Sequence, residues 1–240
     1  MTAHAREPLP PGGTGEIGGA TGGAADGAIV RGRLLAFRDD GALASALGHL
    51  ARGRPSPLPG TLAALAVTAA LLITGVGQQR VAALLVPLAV VALAGPGAGR
   101  PHGGRFDWLV PPGIRLIEYG YLAALGFAQG VAAPLVYVLL AVLAYHHYDI
   151  VYRTRQGLRP PERLFRAGLG WDGRMLLVAF AGLSGLLPFA CAALAVYLGV
   201  LFAGESVATW ARYGHGGGDG GMRRDARGRG DVLTGDLEEE

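Results

Sequence analysis

Apolar residues in this chain come in long runs separated by short stretches of Gly, Pro and Arg, without the alternation of a half-buried strand. A helix needs about 20 apolar residues, at about 1.5 Å each, to cross the hydrocarbon core of a bilayer. Six stretches approach that length: 58–77, 80–95, 110–129, 131–151, 174–187 and 188–211. The second carries Pro87, which a membrane helix tolerates when neighbours satisfy the freed carbonyl. Only Gln129 and Gly130 separate the third from the fourth, so these two are expected to form a tight antiparallel hairpin. The fifth is short of strongly apolar residues, and Pro188 divides it from the sixth. A re-entrant turn or a single kinked helix is the alternative there. The predicted fold is all-α, a polytopic membrane helix bundle of about six transmembrane helices.

Residues 28–54 read differently. Leu43, Leu47 and Leu50 recur at helical spacing with Ala46, while Asp39, Asp40, His49 and Arg52 fall mostly elsewhere. This predicts an amphipathic interfacial helix ahead of the first span, with Asp40 as its N-cap. The alternative reading turns Asp39 and Asp40 toward the polar cluster described below. Residues 1–27 and 213–240 are Gly-rich and poor in bulky apolar residues, and are expected to be disordered tails, the second with an Arg-rich part and an acidic end. The first tail spells G-x-G-x-x-G at Gly13, Gly15 and Gly18, without the strand and helix that give this pattern its phosphate-binding sense. The helical membrane domain is therefore 28–212.

Composition agrees with a bilayer as solvent: 51% of residues are hydrophobic and 16% charged. A net charge of +3 is too small to argue for nucleic acid. One cysteine, Cys191, excludes an internal disulfide and reads as a small buried hydrophobe. Arginine supplies the whole basic count, and its distribution predicts topology. With the N-terminus inside, every arginine between the spans except Arg80 falls on cytoplasmic segments. The prediction is a multi-pass protein of the inner membrane with both termini cytoplasmic.

That topology gathers ionisable residues at one depth. Arg115 and Glu118 lie one to two turns into the third span, His146, His147, Asp149 and Arg153 close the fourth, and Glu205 lies near the end of the sixth. His146, Asp149 and Arg153 share a helix face, as do Arg115, Glu118 and Tyr119. Charges at such depth are costly toward lipid and are expected to turn inward to a cytoplasmic-side vestibule. Two readings account for them. In one, Arg115 and Glu118 form an intramembrane pair, Tyr145, Tyr148 and Tyr152 belong to an interfacial aromatic belt, and the arginines snorkel. In the other, Glu118, Asp149 and Glu205 hold a divalent cation such as Mg, and His146, His147 and Glu118 carry acid–base chemistry. Arg115, Arg153, Tyr119 and Asp107 then bind a phosphate or headgroup.

The strings RFDWLVPPGIRLIEYGYLAALGFAQG (105–130), AYHHYDIVYRTR (144–155) and FAGESVATW (202–210) resemble an actinobacterial membrane-domain family of unknown function. The resemblance covers roughly 30–212 and is carried by Asp107-Trp108, Pro111-Pro112, Arg115, Glu118-Tyr119-Gly120-Tyr121 and His146-His147-Tyr148-Asp149. It implies a place behind a CDP-alcohol phosphatidyltransferase domain and a role near phospholipid synthesis. The transferase signature itself, D-x2-D-G-x2-A-R and its later aspartates, is absent. Phe37 and Ser45 stand where its first aspartate and its arginine would be, around Asp40-Gly41.

Two functional classes follow. The first is an accessory or interaction domain that holds a membrane lipid or phosphate group, with a CDP-alcohol phosphatidyltransferase or a second copy of the chain as partner. The second is a metal-dependent membrane enzyme acting on a phosphorylated lipid or isoprenoid precursor, with Glu118, Asp149 and His146 at its core. A transporter fits less well, because no internal repeat is visible and the charges lie near one face.

Overall fold

A computed structural model describes residues 34–74, 85–100, 104–156 and 162–234, with side chains described as far as Ala211 except at 162, 163 and 165. The first tail with its glycine pattern, Arg80 and the start of the second predicted span lie outside these residues. Within them all regular structure is helical. A helical turn over 34–38 is followed by α1 (Ala42–Leu50), α2 (Pro57–Ile73), α3 (Leu85–Ala94), α4 (Val110–Ala128), α5 (Ala133–Arg155), α6 (Glu162–Ala167), α7 (Gly170–Ser184) and α8 (Leu187–Thr234). The backbone of α8 thus continues over much of the segment whose composition suggests a tail.

Prolines begin helices here. Pro57, Pro111, Pro134 and Pro188 all sit in first turns, where the missing N–H is not needed and the fixed φ favours the helix. The predicted break at Pro188 therefore falls slightly earlier. Gly185 ends α7 in the left-handed region (φ 76°), and a separate helix starts at Leu187.

The expectation of six spans is not supported. Two helices, Ala133–Arg155 and the Leu187–Ala211 part of α8, are long and apolar enough to cross a membrane. At 17 residues α2 covers about 25 Å, short of a hydrocarbon core of about 30 Å. The 15 residues of α7 are fewer still. α4 has 19 residues but opens on Val-Pro-Pro-Gly and carries Arg115 and Glu118, so its apolarity is interrupted. The runs look longer in sequence because turns and first-turn prolines are themselves apolar.

The bundle packs α2 against α3 and α4, α4 against α5 and α7, and α8 against α5 and α7. α4 and α5 form an antiparallel hairpin, with Gly130 at φ 75° in the turn and Gly126 close against Val136. A continuous core runs through Val90, Ile114, Tyr121, Leu125, Leu139, Leu143, Trp171, Met175, Cys191 and Leu198. Helix α1 does not bury its leucines: Ala44 and Gly48 form the buried face, and Leu43 and Leu50 point outward. Gly48 lies so near the backbone of Gly99 that a Cβ would collide with it. Asp40 does not cap α1 either. Gly41 is the N-cap, and Asp172 of α7 accepts the N–H groups of Gly41 (2.6 Å), Leu43 (2.9 Å) and Ala44 (3.1 Å). A carboxylate supplied by another helix thus satisfies the orphan amides and complements the helix dipole.

Candidate functional site

The turn 38–41 builds the site. Asp39 has a left-handed backbone (φ 50°), sparsely populated for a non-glycine residue though less so for aspartate. Its conformation is fixed from several sides. The Asp39 carbonyl accepts the Trp171 N–H at 3.1 Å, Arg38 donates to Ala94 O at 2.6 Å, and Arg115 donates to Arg38 O. Gly41 and Gly170 approach so closely that neither could carry a Cβ without a backbone clash. Asp39 therefore projects inward, while Asp40 accepts hydrogen bonds from Arg38 (2.7 Å) and from the Trp171 indole N–H (2.8 Å).

Inside, two carboxylates meet two guanidiniums. Arg174 of α7 donates from Nε to Glu118 Oε1 (2.6 Å), from Nη2 to Asp39 Oδ2 (2.7 Å) and from Nη1 to Gly168 O (2.9 Å). Arg115 donates to the other Glu118 oxygen, one turn away on α4, and lies 3.9 Å from Asp39 Oδ2. Burial alone would raise the Asp39 carboxyl. Arg174, the two imidazoles and Arg115 outweigh it and hold the group well below the usual carboxylate range. Asp172 shows the opposite balance: burial pushes its carboxyl up against the backbone amides that favour its charged form.

The histidines of α5 complete the cluster. His147 Nε2 lies 3.4 Å from Asp39 Oδ2, and a carboxylate can only accept, so this nitrogen carries the proton. Its Nδ1 then accepts from the Tyr119 hydroxyl at 2.6 Å. His146 Nε2 is 3.8 Å from the same Asp39 oxygen, and its ring stacks on Phe202 of α8, centroids 3.6 Å apart. Asp39 Oδ1 and His146 Nε2 have no hydrogen-bond partner. The expected open vestibule is in fact closed: Asp39, Glu118, His146 and Arg174 are each at most 1% exposed. Arg115 and His147 alone of these charged and imidazole groups reach a cavity, of about 240 Å³, whose other lining is Leu34, Phe37, Trp108, Pro111, Pro112, Ile150 and Val151.

The remaining predicted site residues lie elsewhere. Asp149 pairs with Arg153 (2.7 Å) one turn along α5 and accepts from Ser206 of α8 (3.2 Å). Arg153 also donates to Thr209 (3.0 Å) and stands 3.9 Å from Glu205. This second network borders a groove of Tyr145, Tyr148, Tyr152 and Trp210. Asp107 belongs to neither network and accepts the Gly104 N–H at 2.8 Å, closing the turn before α4. Glu118, Asp149 and Glu205 are thus divided between two ion-pair networks. Among the described residues, the group whose donor atoms converge as metal ligands would is Asp39, His146 and His147.

Sequence reasoning did not find Arg174, counted only as a topological charge at the mouth of a span. Its signal was its position: an arginine opening a buried helix, four residues after Gly170.

The profile of a family described as "Family of unknown function (DUF5941)" matches residues 29–219. The chain belongs to this family. No curated protein and no solved structure matches it. The matched span contains every side chain of both networks, so the whole site of this DUF5941 chain lies within the family's common region.

Proposed function

We propose that this chain is a membrane-embedded binding domain that holds the acidic end of an amphiphile, a phosphate or lipid headgroup, on the cytoplasmic side of the bilayer. One observation carries the reading: the 240 Å³ cavity is apolar on nearly every side and presents Arg115 and His147 at its polar end. Ligand sites combine an apolar wall with a few fixed polar groups in this way. The volume is below the 300–1,000 Å³ usual for whole small ligands, so a headgroup fragment or one acyl segment fits better than an entire lipid. Arg115 is held in place by Glu118 and by the Arg38 carbonyl, and its guanidinium suits a phosphate or carboxylate.

Membrane embedding is supported by two helices of sufficient length and apolarity and by outward-facing Leu43, Leu50, Phe180, Phe189, Val196 and Val200. The cytoplasmic assignment rests on the arginine distribution. An accessory place beside a CDP-alcohol phosphatidyltransferase in phospholipid synthesis rests on the resemblance of its motifs.

The test is lipid retention. The chain is purified in mild detergent, washed, and its bound lipid identified by native mass spectrometry, against Arg115→Gln and Trp108→Ala. Wild type should retain an anionic lipid that both variants lose while still folding. Equal retention by all three, or none by wild type on reconstitution with anionic vesicles, rejects the reading.

A further inference from the structure

We propose that Asp39, His146 and His147 form a site for one transition-metal dication of the zinc class, a ligand set apart from the carboxylates that the sequence suggested. One donor atom from each residue lies within 4.8 Å of the other two. Both imidazole Nε2 atoms approach Asp39 Oδ2, at 3.8 Å for His146 and 3.4 Å for His147. Ligands bound at about 2.0–2.2 Å around a tetrahedral ion stand roughly 3.4 Å apart, so the three need only small shifts to close on one.

A second observation points to the same place. Asp39 Oδ1 and His146 Nε2 are buried without a hydrogen-bond partner, in residues each at most 1% exposed. Such orphans are uncommon, and one ion between them would satisfy both. The ligands are also already oriented. Arg174 anchors Asp39 through Oδ2, the oxygen that both imidazoles approach, and leaves Oδ1 without a partner; Phe202 fixes the His146 ring by stacking, and Tyr119 occupies His147 Nδ1 so that Nε2 faces inward. Partners of this kind set ligand tautomer and direction in metal sites. On metal binding the single N–H proton of His147 moves from Nε2 to Nδ1, where it donates to the Tyr119 oxygen, and the Tyr119 hydroxyl hydrogen rotates away.

Donor chemistry selects the ion. Two imidazoles and one carboxylate suit zinc, with cobalt as a spectroscopic stand-in, whereas magnesium and calcium favour oxygen ligands throughout. Charge fixes what accompanies it. Asp39 and Glu118 are offset by Arg115 and Arg174, so a bare dication would leave the buried cluster positive. The fourth ligand is therefore an anion, and inorganic phosphate should tighten binding. The assignment stands apart from the amphiphile reading; the two share His147 as a ligand and Arg115 as a neighbouring charge.

The experiment strips the purified full-length chain with a chelator, then titrates zinc and cobalt with and without inorganic phosphate. Elemental analysis and the visible cobalt bands are the readouts, with lipid retention followed in parallel. Wild type should take one ion per chain with a tetrahedral cobalt spectrum. Asp39→Asn and His146→Gln should lose it. Tyr119→Phe, which removes only the orienting hydroxyl, should weaken affinity about tenfold or more. Trp108→Ala, at the cavity wall and outside the ionic cluster, should keep the ion while shedding the amphiphile, which separates failure of one proposal from failure of the other. Absence of metal in folded wild type overturns the site, as does equal binding by folded Asp39→Asn and His146→Gln. Should those two fail to fold, unchanged cobalt affinity in Tyr119→Phe overturns it instead.

Discussion

Two ionic networks share helix α5 and differ in what they tie together. The network around Arg174 joins the 38–41 turn, α4, α5 and α7, with partners up to 135 residues apart in sequence. The network around Arg153 joins only α5 and its neighbour α8 and borders an open aromatic groove. The first is a buried set of two carboxylates and two guanidiniums in which no charge can be removed without stranding another. The second is a clasp whose members retain hydroxyl partners. Buried ion pairs gain little net stability over apolar packing, but breaking one from one side is costly. The Arg174 network therefore specifies one arrangement of four segments, and the Arg153 network adjusts one helix contact.

Mutation can break this contrast, beginning with the largest effect. Arg174→Met leaves Asp39 and Glu118 buried and unpaired on one side, and should cost about 3–5 kcal/mol in detergent unfolding measurements. A loss no greater than that at Arg153 would remove the distinction. Asp39→Asn should cost about 1.5–3 kcal/mol at neutral pH, the range for hydrogen bonds to charged groups. Its pH dependence sharpens the point in metal-free protein. Because the folded Asp39 carboxyl titrates well below its unfolded value of about 3.9, its contribution is fully present above that pH and is lost as pH falls through the folded value. The stability gap between wild type and Asp39→Asn should accordingly stay constant from neutral pH down to about pH 4 and shrink below it. Arg153→Met should cost only about 1–2 kcal/mol, since Asp149 keeps the Ser206 hydroxyl. Smallest of all, Tyr148→Ala in the exposed aromatic groove should fall within about 0.5 kcal/mol of wild type by thermal melting.

Legibility of the site followed sequence separation. Arg115 with Glu118 and Asp149 with Arg153 could be paired in advance, because helical periodicity places residues three and four apart on one face. His146 and His147 were visible as polar residues ending an apolar run. Asp39 was legible only as an alternative, since nothing local says that a left-handed turn will drive it inward. Nothing local names the partners of Arg174, 56 residues from Glu118, or the capping of α1 by Asp172, 131 residues from Gly41. The six-span count failed for a related reason: apolar turns and prolines extend a hydrophobic run without extending a helix.

By itself the sequence determined an all-helical chain, the hairpin of α4 and α5, and the residue types of the polar cluster. Hydropathy, proline placement and the 3.6-residue period act within a few turns of chain, so these features need no distant partner. Tertiary structure alone decided which carboxylates share an arginine, that the cluster is closed, and that Asp39 rather than Asp149 or Glu205 faces the two imidazoles. Those outcomes depend on where α7 and the 38–41 turn dock. That docking is set by close packing of Gly41 on Gly170 and of Gly48 on Gly99, contacts between residues with no side chain to announce them.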